Sequence, residues 1–531
     1  MIGHSVFARF VNCKLKSKIG KKLSNYTLGV IELPLLTLES CISDMKKTGL
    51  KKNLFLSTFY QVLTMVLPLI TAPYASRVLG ADGIGIYSYT HAYVMYFMLF
   101  GALGMVSYGT REIAQHRDNK DERSQIFWEI AILTLLTSTV AILAWGIWIL
   151  FNATYRIYYI ILTVYLLGTM FDISWFYAGM EEFKYTVGQN SFFKILGAIS
   201  IFVFVKRAED LWIYILILAL TTFLANISMW IYLPKFVHRV PLRSIKLIRH
   251  FKETLVYFIP TIATSVYTIL DKTLIGLITR DTSENGNYEQ ATKIINMAKM
   301  VCFAGVNLVL SSRISYLFAE KKYEEIKDRI AVSMDYILFI GIAICFGLIG
   351  VAQRFVPFFY GLGYDKTIEL LQLMAPLVVI IGVSNCLGSQ YYTPAGLRAK
   401  SARYIITGSV VNLLLNIMLI PNLRSTGAVI ATLLAELVIT ALYMHSCDGY
   451  YQVSILLKQC WKKLVAGVAM LFVVIWAGKI IENSFITIVV QIVLGAAIYF
   501  MILTLIHDSF MWEIIIPHGK NILQKVVKKK I

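Results

Sequence analysis

From Asn53 to His507 the chain is a succession of long apolar stretches separated by short polar loops, with little sequence left over. A helix that crosses a bilayer needs about 20 apolar residues, and only helices and closed barrels satisfy every backbone hydrogen bond within hydrocarbon. Runs of this length point to helices. About fourteen can be placed, at 53–77, 83–106, 126–150, 157–179, 190–205, 211–234, 253–278, 288–318, 330–358, 367–392, 402–421, 425–446, 462–482 and 484–507. The expectation is an all-α polytopic membrane protein with no room for a soluble catalytic domain. Composition agrees: the 531 residues are 57% hydrophobic and 15% charged, against roughly 45–50% and about 25% in soluble domains.

A formal net charge of +19 would suit nucleic acid, but its distribution argues for a membrane. Lys and Arg crowd into alternate loops, the pattern of cytoplasmic segments. One side holds Lys46, Lys47, Lys51 and Lys52, then Arg111, Arg117, Lys120 and Arg123, the run from Lys235 to Lys252, and Lys458, Lys462 and Lys463. The other side holds only scattered groups such as Arg77, Arg156, Arg280, Lys293, Arg354 and Arg424. Both termini are therefore expected in the cytoplasm. Seven cysteines show no CxxC or paired spacing, and the eight histidines include no H-E-x-x-H, so no metal and no cofactor is expected. With no G-x-x-x-x-G-K-[ST] phosphate loop either, transport is read as secondary or as driven by the cargo's own gradient.

Residues 1–44 differ from the rest: a basic cluster precedes a weak apolar run interrupted by Glu32, Pro34 and Glu39. They read either as a cytoplasmic tail or as an over-long start, with Met45 opening the functional chain. The long basic loop after the sixth span divides an N-lobe, 45–250, from a C-lobe, 251–447. Two extra spans, 448–507, and a basic cytoplasmic tail, 508–531, follow. A faint echo crosses the divide: Pro68 and the turn at Gly85 recur as Pro260 and the turn at Gly286, and Gly286 lies 201 residues after Gly85. Repeats of this kind are common in transporters. Pro68 and Pro260 read either as hinges for alternating access or as ordinary packing kinks.

Ionisable groups near mid-bilayer cost about 2.5–3.5 kcal/mol on insertion scales, so they normally face a cavity or a partner. The candidates are Asp172, Asp271, Lys272, Lys299, Arg313 and Glu436, with Arg77 closing the first span at the external face. The basic members fall at successive depths, as an anionic cargo shedding water would require. Asp271 and Lys272 are neighbours and so point about 100° apart on a helix, unable simply to neutralise each other. Lys299 either faces the cavity or pairs with an acid. Arg313, Asp335 and Glu129 are shallow enough to snorkel. Asp172 and Glu436 either line the cavity or bond between helices.

Five strings in order carry a resemblance over nearly all of the chain from Met45 onward. They are FYQVLTMVLPLITAPYASRVLGADGIGIYSYTHA (Phe59 to Ala92), YGTREIAQHRDNKDE (Tyr108 to Glu122), FDISWFYAGMEEFKY (Phe171 to Tyr185), LDKTLIGLIT followed by NGNYEQATKIIN (Leu270 to Asn296), and Thr393 through Asn412, Asn416 and Pro421 into TGAVIATLLAELVIT. Together they resemble bacterial polysaccharide flippases of the Wzx type, in the superfamily that includes multidrug exporters of the MATE kind. Ser311-Ser312-Arg313 departs from the pattern, where many relatives place a proline before the arginine.

The resemblance implies two six-helix lobes around a central cavity that opens alternately to each side of the bacterial cytoplasmic membrane, with two further C-terminal helices. It implies a cargo of undecaprenyl-pyrophosphate carrying an oligosaccharide repeat unit, and membrane lipids, a polysaccharide polymerase and a chain-length regulator as partners. A peptidoglycan-precursor flippase and a cation-coupled drug or metabolite exporter are the nearest alternatives. A polymerase or ligase acting on the same lipid-linked sugar needs a sizeable external region, and the longest external connection expected here, Thr279 to Asn287, is too short.

Overall fold

The computed structural model describes residues 48–304, 313–480 and 484–517. Residues 1–44, Met45 and the Ser311-Ser312 departure lie outside them. Among the described residues there is no strand, and ten helices are long and apolar enough to cross a membrane. The first half comprises α1 (Thr48–Ala102), α2 (Met105–His116), α3 (Lys120–Phe151), α4 (Arg156–Met170), α5 (Ser174–Gly179), α6 (Phe183–Phe204) and α7 (Leu211–Ser228). The second comprises α8 (Leu247–Thr279), α9 (Thr282–Lys299), α10 (Tyr323–Tyr360), α11 (Asp365–Met374), α12 (Leu377–Leu387), α13 (Arg398–His445), α14 (Val453–Ile480) and α15 (Ser484–Leu505).

Two helices are about twice the length a bilayer needs, and each is broken once. α1 leaves helical geometry at Gly80 (φ 67°), and α13 does so at Arg424 (φ 52°). α1 stays helical through Pro68 and Pro73, so its break falls at glycine, where a positive φ carries no side-chain penalty. Helix starts follow local chemistry. The Asn119 side chain accepts from the Asp121 and Glu122 amides to begin α3, and Asp281 accepts from the Ser283 amide to begin α9. Because α9 begins at Thr282, the external connection expected from Thr279 to Asn287 shrinks to Arg280 and Asp281.

Leucine, valine, isoleucine and phenylalanine side chains such as Leu143, Leu150, Phe151 and Phe472 stand outward, most of their surface uncovered. In water such a surface would drive aggregation; against lipid it costs nothing. Inside, Trp145, Tyr159 and Leu166 centre one apolar cluster, Phe127, Trp175 and Phe176 a second, and Met334, Leu371, Tyr392 and Val429 a third that extends to Met470 and Tyr499 on α14 and α15.

The two halves meet where the echoed residues lie. A Cβ on Gly85 would fall 1.7 Å from the Thr282 carbonyl oxygen, and one on Gly286 would fall 1.9 Å from that of Ala81. Only glycine permits backbones this close. Thr282 Oγ1 donates to Asp82 (2.7 Å) and Ser88 Oγ to Glu289 (2.9 Å), so residues 200 and 201 apart in sequence bond across the seam.

Two groups expected to snorkel do not. Asp335 is buried and accepts from Lys463 Nζ at 2.7 Å, while Lys463 also reaches Asp508 at 3.0 Å. Lys463 is itself fully buried, and Asp508, the first residue of the expected tail, is buried along with Phe510 and Met511. Glu129 is also buried, bonded to His250 (2.6 Å), whose other ring nitrogen meets Tyr108 (2.6 Å). In each case a charged or polar partner on another helix makes burial cheaper than reaching the surface.

Candidate central cavity

Between the halves lies a cavity of about 1060 Å³, walled by α1, α7, α8, α9, α11, α12 and α13. Of the residues anticipated from sequence, Pro68, Asp271, Lys272, Lys299 and Glu436 line it.

Its charged centre is a cluster of one carboxylate and two ammonium groups. Glu289 Oε2 lies 2.6 Å from Lys272 Nζ, and Oε1 lies 3.6 Å from Lys293 Nζ. Both lysine side chains remain about a quarter exposed (23% and 25%), which leaves their charge available to the void. Lys293 and Glu289 are one turn apart on α9, Lys272 comes from α8, and Ser88 from α1 completes the set. Locally the positive charge exceeds the negative by one.

Asp271 turns away from Lys272, as the helical step between neighbours requires. Its two oxygens accept from Tyr288 (2.6 Å), Thr432 (2.7 Å) and Asn416 (2.7 Å). Asn416 also donates to Asn412 (2.9 Å), which donates to Thr432 (3.2 Å). This knot of neutral donors holds α8 and α9 to both segments of α13. Farther along, Lys299 and Glu436 share the cavity wall and interact electrostatically.

The other anticipated cations and acids lie elsewhere. Arg77 donates to the Phe358 carbonyl oxygen, fixing the end of α1's first segment to α10. Arg313 is half-exposed beside Glu325 (3.5 Å) and over the Tyr316 ring. Asp172 caps the start of α5, accepting from the Ser174 amide at 2.8 Å. Pro260 falls within α8; its side chain is outside the described residues. The expected series of cations at successive depths is thus reduced at the cavity to Lys272 and Lys299, each with a carboxylate nearby, plus Lys293.

Glu289 and Lys293 were not anticipated. Lys293 counted among the scattered external groups and Glu289 fell in the turn opening the span expected at 288–318, so neither was weighed with the charges inside the membrane. Their i,i+4 spacing, Glu before Lys, is the favourable helical order and was the available signal. The cavity's aromatic wall, Tyr87, His91 and Tyr214, leaves no period in the sequence that sets it apart from core.

A family model described as "Polysaccharide biosynthesis protein" matches residues 50–318, half of the chain. The protein named "Putative O-antigen transporter" in Escherichia coli (strain K12) is 25% identical over 409 residues, 76% of this chain and 97% of that one. The protein of the same name in Shigella dysenteriae is 27% identical over 401 residues, 73% and 98% of the two chains. Among solved structures, the lipid II flippase MurJ in an inward closed conformation aligns with a TM-score of 0.66 at 15% identity, covering 86% of this chain and 99% of its own. An inward-facing multidrug resistance MATE family transporter of the MOP superfamily aligns at 0.54 and 13%, covering 78% and 95%. Fold, cavity and family match converge: the chain is a multi-pass membrane protein that belongs to the polysaccharide biosynthesis protein family.

Proposed function

We propose that the protein moves undecaprenyl-pyrophosphate-linked oligosaccharide repeat units from the inner to the outer leaflet of the cytoplasmic membrane, by alternating access of the central cavity. The observation that carries this reading is the Lys272–Glu289–Lys293 cluster facing a void shared by both halves of the chain. A diphosphate loses its hydration on leaving water, and charge-assisted hydrogen bonds from two ammonium groups replace it. To reach them it competes with Glu289, whose bond to Ser88 ties α1 to α9 at the seam. Headgroup binding and loosening of the seam are thereby linked through one carboxylate. The names of the curated relatives support a polysaccharide precursor as cargo.

Fourteen crossings, with both termini in the cytoplasm, follow if the breaks at Gly80 and Arg424 divide two double-length helices and α8 and α9 each cross once. The 45–250 and 251–447 halves then form the two lobes, and the product on the outer leaflet feeds a polymerase with its chain-length regulator. The test is transfer in proteoliposomes: an undecaprenyl-pyrophosphate oligosaccharide is loaded in the inner leaflet and its sugar followed by an impermeant lectin outside. Transfer well above protein-free vesicles is expected; equal rates would overturn the reading.

A further inference from the structure

Next to the central cavity lies a second void of about 420 Å³, lined by Tyr89, Asn152, Tyr155, Tyr159, Arg280 and Asn285 among others. Two helices place it one turn beyond the first. On α8, Lys272 faces the central cavity and Gly276 the second; on α9, Glu289 faces the central cavity and Asn285 the second. Four residues correspond to about 6 Å along a helix axis. Packing is tight where the two helices meet the aromatic wall: a Cβ on Gly276 would meet the Tyr89 ring at 2.2 Å and Asn285 Nδ2 at 2.6 Å.

Asn285 is completely buried (0% exposed), yet neither its amide nitrogen nor its amide oxygen has a hydrogen-bond partner among the described residues. Buried amides are almost always paired, and an unpaired one calls for a reason. Around it stand three phenols: Tyr89 and Tyr155 meet edge to face at 6.0 Å, and Tyr159 is buried behind them. Asn152, half-buried, donates its amide nitrogen to the Trp148 carbonyl oxygen (2.8 Å) and adds its amide oxygen to the lining. Flat apolar rings beside planar polar groups suit a ligand that has an apolar face and a rim of hydroxyls. A purely aliphatic ligand would leave Asn285 unpaired. A bare phosphate would find Arg280 alone, with Asp281 next to it.

We propose that this void is a saccharide subsite, taking a sugar ring with its C–H face against Tyr89 and Tyr155 and its hydroxyls on Asn285 and Asn152. Its place at the extracytoplasmic end, as a station for the glycan after the central cavity, rests on the translocation reading above; the binding of a sugar ring does not.

The full chain in lipid nanodiscs is titrated with methyl glucoside, methyl N-acetylglucosaminide and the open-chain polyol sorbitol, followed by saturation-transfer NMR. The glycosides are expected to bind saturably with Kd on the order of 1 mM, and sorbitol about tenfold more weakly. Asn285→Ala and, at the half-buried rim, Tyr155→Ala are each expected to weaken glycoside binding about tenfold, equivalent to about 1.4 kcal/mol. Absence of saturable binding, which would mean a void filled only by water, overturns the proposal. So does equal binding of sorbitol, or glycoside binding that Asn285→Ala and Tyr155→Ala both leave unaffected. If glycosides bind as expected but liposome transfer fails, the translocation reading falls and the subsite stands.

Discussion

Replacing Lys272 by alanine separates the transport role of the ion cluster from its structural role. Lys272 Nζ sits 2.6 Å from Glu289 and is partly open to the cavity. At an effective dielectric of 20, unit charges about 4 Å apart interact by about 4 kcal/mol. Exposure to a wet cavity reduces that, and a charge-assisted hydrogen bond contributes a net of about 1.5–3 kcal/mol. A diphosphate that loses this contact should therefore be carried roughly tenfold to a hundredfold more slowly, at 1.4 kcal/mol per decade. The fold should survive, because Glu289 keeps Lys293 at 3.6 Å and Ser88 at 2.9 Å, leaving no carboxylate stranded. The assay is surface polysaccharide in cells lacking the native protein, alongside immunoblots of the membrane fraction; Lys272→Arg should recover much of the loss. Lys272→Ala with activity within twofold of wild type, at equal membrane abundance, would remove this residue from the transport path.

The remaining predictions concern the frame and the driving force. Gly286→Ala puts a methyl group where the Ala81 carbonyl oxygen lies 1.9 Å away; the seam should be forced apart at a cost of about 1–3 kcal/mol or more. This is read as a lower unfolding temperature or as new labelling of a cysteine placed at Ser88, and the absence of both changes would refute it. Lys463→Met strands Asp335 and Asp508 in the interior and should destabilise by about 3–5 kcal/mol; adding Asp335→Asn and Asp508→Asn should recover most of the loss in a thermal-shift measurement. An inside-negative potential favours outward movement of an unneutralised diphosphate by about 2.3 kcal/mol per charge per 100 mV, so collapsing the potential should slow transfer in vesicles, and an unchanged rate would contradict it.

Hydropathy alone determined that the chain is helical and embedded in a bilayer, since length and apolar content decide what hydrocarbon tolerates. The ordered strings from Phe59 to Thr440 pointed to the family, and the neighbouring positions of Asp271 and Lys272 were enough to show that they face different ways. Helix boundaries were less legible. Counting Lys293 among the scattered external groups and Glu289 with the turn that opens its span hid the centre of the cavity, although one helix beginning at Thr282 carries both. Polar residues at the start of α9 lower its hydropathy although they are buried against α1.

Which charges share a space was decided only in three dimensions. A helix fixes the direction of each side chain, but the packing of its neighbours settles what that direction meets. Arg77 meets the Phe358 carbonyl, Asp172 the Ser174 amide, Asp335 the ammonium of Lys463, and Lys272 an open void. The glycines 201 residues apart show the same division: sequence records their spacing, and only the folded bundle brings their backbones into contact.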